Sequence, residues 1–113
     1  MTTVRRYCGA NYLEINDGNI REYCGRILYE VKNHQVRRYC GPIMYEINGN
    51  QIREYCGRIL LEFDGRYVRR YCGPIIYEIN GNQIREYCGR TLFEINGSIS
   101  NEELMGLLAV LFA

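Results

Sequence analysis

Residues 36–51 read VRRYCGPIMYEINGNQ, and residues 52–67 read IREYCGRILLEFDGRY. The same sixteen-residue unit occurs six times over residues 4–99, with no insertion or deletion. Repetition at a fixed period is typical of a stack or ring of small units, none of which buries its apolar face alone. The repeat therefore decides the architecture, while it says little about chemistry.

Each repeat carries two turn signals, separated by runs that are typical of strands. One turn is centred on Cys56-Gly57 and its equivalents, and the other on Asn48-Gly49 or a relative. Gly and Asn tolerate the positive φ that tight hairpin turns require. The runs between them are rich in Ile, Val and Tyr, which favour strands. The sequence predicts an all-β fold of twelve short strands, arranged as six tandem β-hairpin repeats over residues 4–99.

Two charged positions recur in every repeat and indicate how the strands pair. One is the Glu position of Glu46 and the other is the Arg position of Arg53, and we call these two sets the charged columns. If the Asn-Gly turn closes an antiparallel hairpin with Ile47 opposite Ile52, then Glu46 lies opposite Arg53. The same register places a Glu opposite an Arg at the other hairpins of this kind, in the pairs Glu14–Arg21, Glu30–Arg37, Glu62–Arg69 and Glu78–Arg85. Cross-strand pairs of opposite charge contribute roughly 0.2–1 kcal/mol each. The pattern therefore favours antiparallel hairpins, as a meander or a closed ring.

The two ends of the array distinguish the meander from the ring. Arg5 has no preceding Glu, and Glu94 has no following Arg. A closed ring would bring these two residues together, with Val4 opposite Ile95, and would leave no exposed edge strand. An open sheet would leave both charges unpaired.

The alternative architecture is a β-solenoid with 16 residues per coil, in which identical side chains stack about 4.8 Å apart. The third position of the repeat favours such stacking because its charge alternates: Arg6, Glu22, Arg38, Glu54, Arg70 and Glu86. In hairpins these positions lie two strands, roughly 9–10 Å, apart. The alternation fits hairpins if the side chains converge on the inside of a curved sheet.

Hairpin register also assigns the faces of the sheet. The more apolar face carries Ile43, Tyr45, Ile47, Ile52 and Cys56, and it is the predicted core. The cysteines occur singly, one in each repeat, and no apolar signal segment precedes them. We therefore expect free thiols packed as small hydrophobic side chains.

Residues 100–113 depart from the repeat and are predicted to form a C-terminal capping helix of the same domain. Ser100 and Glu103 fit a capping box, and the helix should run from about Asn101 to Phe112. Because it is apolar nearly all round, it must be buried, as a cap on the last repeat or a lid over the sheet. A dimer contact is the second interpretation. The candidate interface residues are Leu104, Leu107, Leu108, Leu111 and Phe112.

The balance of charge limits the classes of partner. The net charge is +1, from 14 basic and 13 acidic residues, so no field for nucleic acid or an anionic membrane is expected. A near-neutral surface makes homo-oligomers easy to form. The absence of a signal or spanning segment predicts a soluble, cytoplasmic protein.

No catalytic constellation emerges, so the sequence predicts neither an enzyme nor a cofactor. His34 stands at a hairpin turn, and cysteines at uniform spacing are a weak signal for metal or redox chemistry. Exposed tyrosines beside charged residues can bind glycans or other small molecules, but the sequence favours the simpler interpretation that they shield the outer face of the sheet and stack across strands. The candidate binding surface comprises Tyr23, Tyr39, Tyr55, Tyr71 and Tyr87.

The pattern (I/V)RxYCGxxxYEI(N/D)G, followed by a short apolar helix, resembles small bacterial tandem-repeat proteins. The likeness covers nearly the whole chain, but it implies no activity and no functional residues. The expected function is a non-enzymatic structural or protein-interaction module that self-associates. The alternative is a protein that binds glycans or small molecules through its tyrosine-rich face.

Overall fold

A computed structural model describes residues 2–112 as twelve strands followed by one helix. The strands are β1 Thr2–Arg6, β2 Asn11–Asn16, β3 Asn19–Glu22, β4 Ile27–Lys32, β5 Gln35–Arg38, β6 Ile43–Asn48, β7 Gln51–Glu54, β8 Ile59–Phe63, β9 Tyr67–Arg70, β10 Ile75–Asn80, β11 Gln83–Glu86 and β12 Thr91–Asn96, and the helix is α1 Asn101–Phe112. Consecutive strands pair antiparallel, and β1 also pairs with β12, so the sheet is a closed barrel. The predicted hairpin repeats are confirmed in their ring form, and the solenoid alternative is wrong.

The predicted register between strands is confirmed. Ile47 lies opposite Ile52, and Glu46 lies opposite Arg53. At the closure, Val4 lies opposite Ile95 and Arg5 opposite Glu94. The Arg5 Nε and Glu94 Oε1 atoms are 3.8 Å apart. The two charges left over at the ends of the repeat array therefore meet, and closure removes the free sheet edge.

The hairpins without cysteine use two-residue turns of two kinds. Asp17 and Gly18 both have positive φ, 52° and 81°, as a type I′ turn requires. In the third repeat only Gly49 does, at 62°, and Asn48 pairs with Gln51. The turn there is Gly49-Asn50 rather than Asn48-Gly49, because a type II′ turn needs glycine at its first central position.

The hairpins closed by a Cys-Gly turn each contain a β-bulge, which shifts the register by one residue. Ile43 consequently lies opposite Arg37, on the arginine face. Its assignment to the core was wrong, because a bulge interrupts the alternation of faces. Leu28, Leu60 and Ile76, each one residue beyond the equivalent of Ile43, pack against the core instead.

The inward-facing strand residues fill the barrel interior. Buried apolar strand residues are Val4, Leu13, Ile15, Ile20, Val31, Val36, Ile47, Ile52, Leu61, Phe63, Val68, Ile79, Ile84 and Ile95. Ile52 is fully buried and Ile47 nearly so, which confirms their assignment to the core, and Tyr45 packs against them.

Helix α1 lies inside the barrel and plugs it. Five consecutive residues, Met105 to Ala109, are buried, and they span more than one turn of 3.6 residues. A lid would bury one side only, so the predicted lid is corrected to an interior plug. The predicted bounds and capping box are confirmed, since Glu103 N donates to Ser100 Oγ and Ser100 N to Glu103 Oε1, both at 3.1 Å. Ala113, the last residue of the predicted capping segment, lies outside the described residues.

The molecule is a flat disc, 37 by 35 Å across and 17 Å thick. Within residues 2–112, no helix is long and apolar enough to cross a membrane.

Candidate functional site

Two kinds of turn give the barrel two different rims. The Cys rim consists of the six Cys-Gly turns, residues 6–10 and their equivalents in later repeats. The Asn rim consists of the other hairpin turns and the strand-to-helix connection, residues 97–100. The helix begins at the Asn rim, where Gly18 N donates to Glu103 Oε2 at 3.0 Å and His34 N donates to Glu102 Oε2 at 2.6 Å. It runs through the barrel towards the Cys rim.

Every turn of the Cys rim has a hydrogen bond from its glycine N to the carbonyl three residues earlier. In the turns at Gly9, Gly25, Gly41, Gly57 and Gly89, an arginine side chain also donates to the glycine carbonyl. In the fourth repeat, Gly57 N donates to the Glu54 carbonyl at 2.9 Å, and Arg53 Nη2 donates to the Gly57 carbonyl at 2.8 Å. Cys56 N donates to Glu46 Oε1 across the hairpins at 3.3 Å. The charged columns therefore fix the turns as well as the strand register.

The cysteines lie at the tips of these turns and are exposed free thiols. They have positive φ, between 55° and 57°, at Cys8, Cys24, Cys40, Cys56, Cys72 and Cys88. The prediction of packed thiols was wrong, because the strand ends at Glu54 and its alternation of faces does not continue into the turn. Equivalent cysteines are two strands apart, roughly 9–10 Å, too far for a disulfide within the chain.

The Cys rim carries a ring of exposed charges with an excess of arginine. Its members are Arg6, Glu22, Arg26, Arg38, Glu54, Arg58, Arg70, Glu86 and Arg90. Six positive and three negative charges give a net charge of +3. The glutamates pair with the arginine four residues later, for example Glu54 Oε1 with Arg58 Nε at 3.3 Å. The arginines Arg26, Arg58 and Arg90 were not predicted as part of a site, although their occurrence in every other repeat was a signal in the sequence.

The Asn rim has the opposite net charge. Its charged residues are Asp17, Lys32, Asp64, Arg66, Glu102 and Glu103. Four negative and two positive charges give −2. The remaining six Arg and six Glu belong to the strand columns and cancel. The disc therefore has one positive and one negative end.

A partly exposed apolar cluster lies inside the charged ring of the Cys rim. The Phe112 ring stacks on Tyr77 with 3.9 Å between centroids and meets Phe93 edge-on at 6.5 Å. Tyr45 also packs against the core, and burial, together with the nearby hydroxyl of Tyr29, raises the pKa of its phenol. The Cys rim thus combines an apolar centre with a charged periphery.

The predicted tyrosine surface is exposed and is distributed around the barrel. The exposed fraction of the residue is 45–50% for Tyr23, Tyr39, Tyr55, Tyr71 and Tyr87. The Tyr87 ring meets Tyr67 edge-on at 5.9 Å. The charge of the adjacent Cys72 raises the pKa of the Tyr71 phenol, and Cys88 does the same for Tyr87. The five tyrosines lie in different repeats around the barrel and do not converge on one site.

The candidate interface residues of the helix have two different environments. Leu107 and Leu108 are fully buried in the barrel, whereas Leu104, Leu111 and Phe112 are partly buried near the two ends of the helix. A contact through Leu107 or Leu108 would require the plug to leave the barrel. These two leucines therefore belong to the core.

An open groove lies next to the Cys rim, between the turn that joins β3 to β4 and the end of β5. It has a volume of about 650 Å³ and is lined by Arg21, Arg26, Ile27, Leu28, Tyr29, Arg38 and Tyr39. An equivalent groove of about 360 Å³ lies where the last repeat meets the first, lined by Arg6, Tyr7, Arg90, Thr91, Leu92 and Phe93. Neither lining includes an acidic side chain from the described part of the chain. The repetition of the same positions makes the groove a property of the repeat.

His34 Nδ1 lies 3.7 Å from Glu102 Oε2. Among residues 2–112, no group of three or more His, Cys, Asp and Glu side chains is placed to hold a metal ion. Comparisons with protein-family models, with curated proteins and with solved structures found no match.

Proposed function

We propose that this chain is a non-enzymatic structural module that self-associates by stacking, with the Cys rim of one copy on the Asn rim of the next. The observation that carries the proposal is the charge of the two ends, +3 at one rim and −2 at the other. Like rims repel, and unlike rims attract. Complementary charge fixes the orientation of association more than it sets the affinity.

The composition of the Cys rim supports an interface. An apolar, aromatic centre around Tyr77 and Phe112 lies within a ring of charged side chains. Protein interfaces commonly have this arrangement, with an apolar core and a polar periphery. A face 37 by 35 Å across offers roughly 1,000 Å², and a standard interface buries about 800 Å² per partner.

Closure of the barrel limits the alternatives. Because β1 pairs with β12, none of the strands in residues 2–96 has a free edge that could add a strand from another molecule. Contact between unlike faces is heterologous, and without rotational closure it produces an open stack.

Light scattering over rising protein concentration tests the function. We expect a mass that grows beyond that of the 13.3 kDa chain at low salt and returns to it at about 1 M salt, where the Debye length is roughly 3 Å. A single 13.3 kDa species at all concentrations in low salt would overturn self-association.

Substitution at the Cys rim tests the role of charge. The triple variant Arg26→Gln, Arg58→Gln, Arg90→Gln removes the net charge of this rim. The turns should still form, because the odd repeats carry Ala10, Pro42 and Pro74 at this position. We expect association to weaken roughly tenfold or more, and the matched triple Arg→Lys variant to associate like the parent. Equal association of both variants would contradict the charge argument.

The cysteines report the orientation of stacking, because all of them lie on one rim. Diamide joins two thiols into a disulfide, and its azo bond takes up the two electrons and two protons. Head-to-tail stacks keep thiol rims apart, so the associated chains should run as monomers on a non-reducing gel. A disulfide-linked dimer as the main product would show head-to-head contact and overturn this orientation.

A second candidate function is binding of a glycan or another small molecule in the groove next to the Cys rim. The groove beside Tyr39 supports it, since its volume of about 650 Å³ lies within the range of ligand sites, roughly 300–1,000 Å³. A glycan array tests this function, and an array without any binding would remove it.

A further inference from the structure

Building on this second candidate function, we propose that the grooves bind acidic saccharides, that is, sugars bearing a carboxylate or a sulfate. The site is the junction from an even repeat, which starts at Ile20, Ile52 or Ile84, to the following odd repeat. The ligand chemistry follows from the residues that only this kind of junction brings together.

Arginine enters the groove from both sides of the junction. Arg26 stands at the seventh position of an even repeat, and Arg38 at the third position of the next odd repeat. Arg90 and Arg6 occupy the same two positions where the last repeat meets the first. At the junction from an odd to an even repeat, Pro42 and Glu54 replace them. The charge of the groove therefore alternates around the barrel, and only alternate junctions attract an anion.

The arginines of the first groove differ in their own contacts. Arg21 donates to the Gly25 carbonyl through Nη2 at 2.6 Å, and Arg26 Nε lies 3.4 Å from Glu22 Oε1. Arg21 is thus bound to the backbone, and the charge of Arg26 is paired with Glu22. Within the described residues, Arg38 has no acidic partner within 4 Å, and its guanidinium is the charge left for a ligand. Arginine binds carboxylate and sulfate through two parallel hydrogen bonds.

The tyrosine completes a site for a sugar. Tyr39 is half exposed and lines the groove together with Tyr29 and Leu28. An aromatic ring offers an apolar face for one side of a sugar ring, while its hydroxyl remains available for a hydrogen bond. A saccharide with one acidic group would place its ring against Tyr39 and its anion at Arg38.

Titration monitored by amide NMR shifts tests the proposal with three probes: a sulfated heparin-derived disaccharide, neutral lactose and inorganic sulfate. The protein is held at a concentration where light scattering gives a monomer. We expect the sulfated disaccharide to shift Tyr39 and Tyr7 but not Tyr55, whose junction carries Glu54. Equal binding of lactose, or sulfate binding as tightly as the disaccharide, would overturn the proposal.

Two substitutions separate a site from general attraction. Arg38→Gln removes the free charge of the groove, and we expect at least a tenfold loss of affinity at Tyr39 with Tyr7 unaffected. Arg37→Gln removes the same charge one residue earlier, where the side chain donates to the Gly41 carbonyl and does not line the groove. Equal losses from the two variants would overturn the site. If no sugar of any kind bound, the second candidate function would fail as well, while self-association would stand.

Discussion

Cys56 and its equivalents occupy a backbone conformation that glycine adopts far more easily. Each has φ near 55°, and a residue with a Cβ atom in this region costs about 1–2 kcal/mol relative to the right-handed one. The thiol gains nothing in return from burial, since it is exposed. Turn geometry therefore does not explain the choice of cysteine.

Relief of this strain gives the first prediction. Cys56→Gly should stabilise the protein by about 0.5–1 kcal/mol, the steric gain being reduced by the larger backbone entropy of glycine in the unfolded chain. Cys56→Ala keeps the Cβ atom and should change the stability little. Urea unfolding of the two variants measures the difference. A destabilised Cys56→Gly variant would show that the thiol makes a contact which the turn needs.

A single carboxylate organises the turn between β8 and β9, and it gives a pH dependence. Asp64 Oδ1 accepts hydrogen bonds from Tyr67 N at 2.9 Å and Arg66 N at 3.1 Å. These bonds, first that of Tyr67, lower the pKa of Asp64 below its ordinary value. A lowered folded pKa means that the stabilisation is present above the ordinary pKa and is lost as the pH falls through the lowered one.

We therefore expect the carboxyl ¹³C shift of Asp64 to titrate below the usual range for aspartate. Asp64→Asn keeps the acceptor oxygen and removes the titrating group. The free energy of unfolding of this variant should therefore decrease less than that of the parent as the pH falls. A normal pKa in the titration would show that the turn does not depend on the ionised carboxylate.

At the scale of elements, local sequence signals predicted where the helix begins and ends, but they did not predict where it packs. The capping box and the apolar run gave the bounds of α1, because capping depends on neighbours in the chain. Its position inside the barrel depends on residues up to 85 positions away, such as Gly18, and no local pattern separates a plug from a lid. Gly106 was the available signal, since glycine inside a helix costs about 1 kcal/mol relative to alanine.

The close approach at Gly106 gives a prediction whose sign distinguishes plug from lid. A Cβ atom there would overlap Val31 Cγ2 and would lie 2.9 Å from Val31 Cγ1. Gly106→Ala should therefore destabilise the protein by about 1–3 kcal/mol, as overpacking does. On an exposed helix the same change would stabilise by about 1 kcal/mol.

The partner substitution provides the control for this prediction. Val31→Ala removes both methyl groups, so Gly106→Ala should cost less in that background, and a double-mutant cycle by urea unfolding measures the coupling. Additive effects would place the helix away from Val31.

Hairpin pairs followed from the sequence because charge and hydrophobicity alternate along each strand. Ile47 opposite Ile52 required only the period of two and the length of the turn. The bulges were missed, since no residue type marks them, and Ile43 was assigned to the wrong face in consequence. The period of two predicted the strands and their pairing. It did not predict the extra residue of the β-bulge beside each Cys-Gly turn.

At the scale of the whole molecule, closure places the alternating third position on the concave side of the ring, with Arg38 and Glu54 opposite Tyr29 and Tyr45. These charges do not pair with one another within the described residues, since Glu54 pairs with Arg58 of its own turn. The meeting of Arg5 with Glu94 was predictable as one consequence of a ring. The charge of each rim was not, because it depends on which turns gather at which end.

Of the candidate site, the exposure of the tyrosines was accessible from the sequence, but the groove was not. Tyr39 was a candidate because a tyrosine precedes the Cys-Gly pair in every repeat. Its neighbours in the groove, Arg26 and Arg38, come from two different repeats. Residues brought together across a junction share no spacing that marks them as a site. Only the strand order reveals them.

The most direct test of the plugged, closed barrel is a methyl NOESY spectrum of the native chain. Directly opposed side chains on paired strands have Cβ atoms about 4.5–5.5 Å apart, so Val4 and Ile95 should give a cross-peak as strong as that of Ile47 and Ile52. Val31 methyl groups should also contact the Hα atoms of Gly106. A spectrum with the peak between Ile47 and Ile52 but none between Val4 and Ile95 would contradict closure, and absence of the contact between Val31 and Gly106 would contradict the plug.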